Sequence, residues 1–445
     1  MSGSVGSFKA TFDELPDGWT TQRLKFVASV QNSNVDKVIS EDEIGVKLCN
    51  YTDVYYNDEI ALDMPFMEGS ATSKEIEKFT LKAGQVIITK DSESWDDIAI
   101  PSYVPVDMPG VVCGYHLSVF EADKAAMYGA FLAWLCRAPA LNDQFKICAN
   151  GVTRFGLGQY PMKNALVPLP PIETQKKIAA FLDEKTAQID GLIEKKRALL
   201  ERLAEKRQAL ITQAVTKGLN PNAPMQDSGI DWLGQVPAHW RVRRLRFDLS
   251  GGTLNGLYKT KEEFQEDGVP FVQMGEAFRS SEFSGDVKDR VTASRKEIEK
   301  WGLQEGDFLI ARRSLVFEGS GKSSLILALD EPHLFESSMI RLRPTHQQDF
   351  SKFLSYFFQS LPGRSAMLSV TKQVTISGID SQQLKDVWIS FPPKDEAAQI
   401  GKHCEASVSE MNASKAAVES SIDLLREYRA ALISSAVTGQ LDGLK

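Results

Sequence analysis

The chain of 445 residues is poor in the side chains that most often announce an enzyme or a membrane protein. It has five cysteines (Cys49, Cys113, Cys136, Cys148, Cys404) and five histidines (His116, His239, His333, His346, His403), all scattered. No CxxC pair and no mixed Cys/His cluster occurs, so no structural zinc is expected, and the thiols read as reduced, as in a cytoplasmic protein. No apolar run is long enough to cross a bilayer, and MSGSVGSFKATFDELP lacks a signal-peptide core. HExxH, G-x-S-x-G and an Asn/Asp-Pro-Pro-aromatic methyltransferase motif are all missing. GSGKSS at Gly319–Ser324 resembles the end of a phosphate loop, but the first glycine would fall on Val316. No catalytic or metal-ligating residue is therefore assigned. The net charge of −8 leaves DNA binding to local basic patches.

What is present is helix and repetition. From Pro170 to Lys217 the chain is dense in Ala, Leu, Glu, Lys, Gln and Arg, with Gly191 the only glycine. Leu182, Ile189, Lys196, Leu203 and Leu210 share one heptad position, and Ile178, Leu192 and Leu199 are expected on the complementary one. A second stretch from Pro392 carries Ile400, Val408, Met411, Val418, Ile422, Leu425, Leu432 and Ile433. QALITQAVTKGL and AALISSAVTGQL end the two stretches at an offset of 433 − 211 = 222 residues. One long helix cannot bury its seam alone, and chain connectivity makes the second its antiparallel partner.

The regions before the helices repeat as well. PDGWTTQRLKF (Pro16–Phe26) faces PAHWRVRRLRF (Pro237–Phe247), offset 240 − 19 = 221. Period-2 alternation predicts a half-buried strand through Leu24 and Phe26, whose cations either face solvent or contact phosphate. LKAGQVIITKD faces LQEGDFLIARR, each a glycine turn leading into an apolar strand. FLAWLC and FLSYFF read as core helix, and GVTRFGLG falls on QVTISGID. Between these landmarks Asp91–Gly114 and Arg313–Glu336 share little, which suggests related modules reading different things. The link GLNPNAPMQDSGIDWLGQVPAHW is expected to be a loop.

The expected architecture is α+β: two globular α/β domains joined by two long antiparallel coiled-coil helices in a pseudo-twofold tandem repeat. The expected boundaries are 1–168 for the first domain, 169–218 for the first helix, 219–236 for the linker, 237–390 for the second domain, and 391–445 for the second helix and tail. Residues up to Leu15 are expected to be a poorly ordered lead. Candidate DNA-binding residues are cations and neighbours in strand ends and divergent loops: Lys90, Ser92, Trp95 and Arg154 in the first domain, and Arg312, Arg313, Lys322, Lys372 and Gln373 in the second. Surface ion pairing remains open for the arginines, and packing under a loop for Trp95.

The repeat, the segment PPIETQKKIAAFLDEKTAQID and the linker DSGIDWLGQVPAHW resemble the specificity subunit of type I restriction–modification enzymes. The resemblance implies two target-recognition domains, each reading one half of a bipartite site in double-stranded DNA. It also implies docking of two methyltransferase subunits and of restriction subunits, within a cytoplasmic, membrane-free system of phage defence. S-adenosylmethionine, ATP and Mg would then belong to those partners, leaving this chain non-catalytic. The second copy departs from the repeat in two ways: Ala397 stands where the first copy has Gln175, and Ser407, Ser414 and Ser421 weaken the second seam. A DNA enzyme acting alone, or an acidic scaffold or DNA mimic, are the rival readings.

Overall fold

The computed structural model describes residues 15–314, 319–345, 347–372 and 377–444. Most of the expected lead therefore lies outside the described residues. The chain forms two compact units, residues 1–196 with 420–445 and residues 197–419. Two long helices run through the sequence, α1 (Ile172–Lys217) and α2 (Lys394–Val437). Each unit holds the first part of one helix and the last part of the other, as antiparallel partners would. In the first unit Arg429 of α2 pairs with Asp190 of α1 at 3.1 Å.

The globular parts repeat one topology. In the first unit, strands Ala28–Asn32, Leu117–Ala122, Gln85–Thr89 and Pro101–Tyr103 form an antiparallel sheet in that order. In the second, Leu249–Asn255, Met339–Pro344, Phe308–Ala311 and Ser323–Ile326 do the same, and Glu282–Phe283 adds a parallel edge. A mixed sheet follows in each copy, Met67–Ala71, Ile44–Cys49, Val111–Cys113 and then Arg290–Val291, Phe264–Val272, Leu334–Phe335. The segments that share no sequence thus build the same strands. Helix Gly129–Arg137 is buried almost throughout, and Phe353, Phe357 and Phe358 of helix Gln347–Gln359 lie in the second core, as the aromatic runs predict.

A glycine closes each long helix against the other end of its unit. Gly439 has φ +74°, and a Cβ there would sit 2.5 Å from Pro16 and 3.3 Å from Trp19. Gly218 has φ +72°, and a Cβ there would meet Trp240 at 3.4 Å. Only glycine adopts this left-handed cap without strain. The change of offset from 221 to 222 falls between Phe26 and Leu81, 55 residues apart, whose counterparts Phe247 and Leu303 are 56 apart, so the second copy carries one extra residue there.

Three sequence expectations are corrected. The first strand stops at Arg23, and Leu24–Phe26 is a 3-10 turn that buries Leu24 and leaves Phe26 65% exposed. Arg241–Arg244 and Phe247, 66% exposed, repeat this, so the period-2 pattern ends where the backbone turns. Leu192 and Leu199 are exposed; the inner positions are Ile193, buried, and Leu200, half-buried. The cause is one residue of drift. Buried or half-buried positions step by three and four except at Ile178, Leu182 and Thr186, where two fours follow each other. Ile400, Cys404 and Val408 show the same stutter in α2, where the stripe packs on Phe353 and Phe357 of the globular core. The extra residue rotates the apolar stripe as each helix leaves its globular domain. Finally, the linker is more than a loop: Met225–Asp227 and Gln235–Pro237 form a hairpin, and Leu233 and Val236 join the second core.

Helix Arg295–Trp301 shows how charge supports a helix start. Ser294 and Glu297 form a capping box, and Lys259 donates to Glu297 at 2.8 Å and to Glu263 at 3.0 Å. The Lys259 ammonium, followed by the Ser294 N–H, holds the Glu297 carboxyl down at about 2. A depressed carboxyl stabilises the fold when ionised. The contribution is complete above the ordinary glutamate range and fades as pH falls toward 2. Glu297→Gln is therefore expected to lower the melting temperature at pH 7 and to do so progressively less below pH 4, read from thermal melts of both proteins across that range.

Candidate nucleic-acid interface

A small three-stranded sheet ends each globular part. In the first unit it is Asp91–Ser92, Phe155–Gly156 and Asn150–Gly151. In the second it is Arg313–Ser314, Ser377–Ile379 and Thr371–Lys372. One row across the first reads Asp91, Gly156, Asn150, and the same row across the second reads Arg313, Gly378, Lys372. Each residue is displaced by 222, so the frame is kept and the chemistry changed. A carboxylate and an amide in one copy become two cations in the other.

Lys90 and Arg312 occupy equivalent places at the root of this sheet. Each donates its backbone N–H, to the carbonyls of His116 and Ser338, and each accepts at the end of the central strand, from Leu157 and Ile379. Their side chains turn inward: Lys90 Nζ lies 3.3 Å from the Ser33 carbonyl and Arg312 donates to the Ser337 carbonyl at 3.4 Å. Both hold neighbouring loops. Ser92 is buried as well, accepting from the Ser94 N–H and bonding the Tyr51 hydroxyl. Arg154, Arg313 and Lys322 are exposed, and Trp95 is 53% exposed rather than packed under its loop. Lys322 lines a groove of about 290 Å³ with Arg279 and Arg364. Gln373 and the Lys372 side chain lie outside the described residues.

Arg154 belongs to a polar cluster that sequence reasoning missed. His116 Nδ1 lies 2.7 Å from Asp91 Oδ2, within hydrogen-bond reach of the carboxylate, and Arg154 Nη2 stands 3.4 Å from the same nitrogen. Behind them Tyr51 stacks on Tyr55 at 5.4 Å, and Tyr55 donates to Asp97 at 2.7 Å. That hydrogen bond pushes the Tyr55 hydroxyl up to about 12. Tyr56 is 76% exposed. Three tyrosines within YTDVYY were the available signal. His116 carried none, because its partner Asp91 lies 25 residues away.

The basic strand beside Phe247 behaves differently. Arg244 and Arg246 both pair with Asp386, and Arg243 pairs with Asp248. Two carboxylates here face three arginines, so the strand keeps a net positive charge. The GSGKSS stretch leads into strand Ser323–Ile326 rather than a helix, so it has no helix N-terminus to offer a nucleotide. Among the described residues no group of three or more His, Cys, Asp or Glu is placed to hold a metal ion, and no helix is long and apolar enough to cross a membrane.

The chain was compared with known proteins. It is 21% identical over 371 residues to the type I restriction enzyme EcoKI specificity subunit of Escherichia coli K12, covering 83% of this chain and 76% of that one. It is 22% identical over 406 residues to the putative type I restriction enzyme MjaX specificity subunit of Methanocaldococcus jannaschii, covering 90% and 89%. A chain solved in work on complex assembly and conformational transition of the type I R-M system shares its fold with a TM-score of 0.75, at 18% identity and 96% and 100% coverage. The HsdS subunit of Thermoanaerobacter tengcongensis does so with a TM-score of 0.60, at 18% identity and 96% and 98% coverage. The profile of the type I restriction modification DNA specificity domain matches residues 16–202 and 247–417, one stretch for each copy of the repeat, and the chain belongs to that family.

Proposed function

We propose that this chain is the DNA-reading subunit of a type I restriction–modification complex, each unit recognising one half of a bipartite duplex sequence. The observation that carries this is the repeated row of the small sheets: identical backbone pairing, with Asp91 and Asn150 in one unit and Arg313 and Lys372 in the other. Two copies of one frame with unlike polar edges suit two unlike half-sites, because base edges are told apart by the donors and acceptors that meet them. On this reading the long helices dock two methyltransferase subunits, and restriction subunits join them. S-adenosylmethionine, ATP and Mg serve those partners, in the cytoplasm. The net charge of −8 does not oppose DNA binding, since the cations are concentrated locally.

The test is exchange. Replacing residues 22–166 with those of a relative, in the assembled methyltransferase complex, is expected to change one half of the methylated sequence and leave the other intact. Mapping methylated bases genome-wide reads the outcome. A change in both halves, or in neither, would refute the division of labour.

A further inference from the structure

The third strand of the small sheet in the first unit continues into an exposed tip. Asn150–Gly151 and Phe155–Gly156 form a two-stranded ribbon, and every residue from Asn150 to Arg154 is exposed. Val152 at its tip is 93% exposed. The turn is tight, since a Cβ on Gly151 would lie 1.9 Å from the Arg154 carbonyl oxygen. Such a tip gains nothing in the isolated fold from an apolar side chain, because burial is what makes one favourable. Beside it Arg154 is exposed, its Nη2 3.4 Å from His116 Nδ1 next to Asp91.

We infer that this ribbon enters the DNA major groove, with Arg154 reading a guanine edge and Val152 packing on a thymine methyl in the first half-site. The inference rests on the DNA-reading function proposed above. A major groove about 12 Å wide admits a two-stranded β-ribbon. Arginine meets the O6 and N7 of guanine with two parallel hydrogen bonds, and the only apolar group on a base edge in that groove is the thymine methyl. The second unit places its cations differently, at Arg313 and at the register position of Lys372, at the base of the equivalent ribbon.

The experiment uses the full chain assembled with its methyltransferase subunits, and binding to duplexes that carry each single base change across both half-sites. Arg154→Gln is expected to lose roughly ten-fold or more of the discrimination at one guanine of the first half-site. Discrimination throughout the second half-site stays intact. Val152 is read with deoxyuridine, which lacks the methyl group. Replacing one thymine of the first half-site by deoxyuridine weakens the wild-type complex several-fold, and Val152→Ser removes that difference. Uniform weakening of all sequences by Arg154→Gln, with the salt slope reduced by about one, would mean a phosphate contact and overturn the inference. A wild-type preference untouched by either variant would also overturn it and leave the DNA-reading function standing. A wild-type complex with no sequence preference would remove both.

Discussion

Arg343→Met is expected to destabilise the second unit by about 3–5 kcal/mol. Asp307 is fully buried, and Arg343 grips it with two hydrogen bonds, Nε to Oδ1 and Nη2 to Oδ2, both at 2.7 Å. Removing the guanidinium leaves a carboxylate without its main counter-charge where water does not reach it. The first unit offers a comparison, since the positions 222 residues earlier are Gln85 and Glu121, joined by one long contact of 3.5 Å. Glu121→Met there strips a neutral amide of a weak partner and should cost about 1 kcal/mol or less. Urea unfolding of both variants measures the contrast. Adding Asp307→Asn to Arg343→Met should return part of the loss, because the buried charge is then gone. Equal costs in the two units would mean that the Arg343–Asp307 pair is screened.

Gln175→Ala is expected to cost about 2–3 kcal/mol in the first unit, from one buried and two partly buried backbone groups losing their partner. The Gln175 side chain is fully buried at the start of α1. Its Oε1 accepts from the Tyr128 N–H at 2.8 Å, and its Nε2 donates to the carbonyls of Ala126 at 2.9 Å and Pro170 at 2.8 Å. It ties the chain entering helix Gly129–Arg137 to the strand end that opens α1. The second unit has Ala397 at this place, also buried. There the packed helix starts at Gln347, four residues earlier than the repeat requires, so the backbone at Phe350 lies inside a helix and has no need of a side-chain acceptor. Ala397→Gln would then add an amide with nothing to bond, and should destabilise rather than repair. Urea midpoints of Gln175→Ala and Ala397→Gln test both statements, and a stable Ala397→Gln protein would contradict the explanation.

The periodic and repeated parts of this fold were legible in the sequence. The long helices, the aromatic core helices and the glycine-led strands follow from spacing and from the offset between copies, both local properties. The seam through Leu192 and Leu199 does not form because the step of four from Leu182 to Thr186 carries the row of Ile178 on to Thr186, Ile193 and Leu200, while the row through Leu182, Ile189 and Leu203 keeps its heptad. The candidate site was legible only in part. Arg154 and Arg313, chosen as cations, are exposed, whereas Lys90, Ser92 and Arg312 turn inward to hold loops. His116, Tyr51 and Tyr55 acquire meaning only from partners far along the chain, Asp91, Ser92 and Asp97, and sheet pairing decides those. The strand expected through Phe26 failed because burial of Leu24 required a turn, not an alternation.

The paired stutters set a reading frame for changes in helix length. Each helical residue advances about 100° around the axis. An insertion of seven residues therefore shifts the following stripe by only about −20°, and one of eleven by about +20°. An insertion of two shifts it by about 200° and turns Ile193 or Ile422, both buried, toward solvent. In the gene this means that insertions of about 21 or 33 nucleotides in either helix preserve the packing beyond them, whereas six, although in codon register, invert it. Changes in helix length that keep the stripe in register thus come in a few discrete steps.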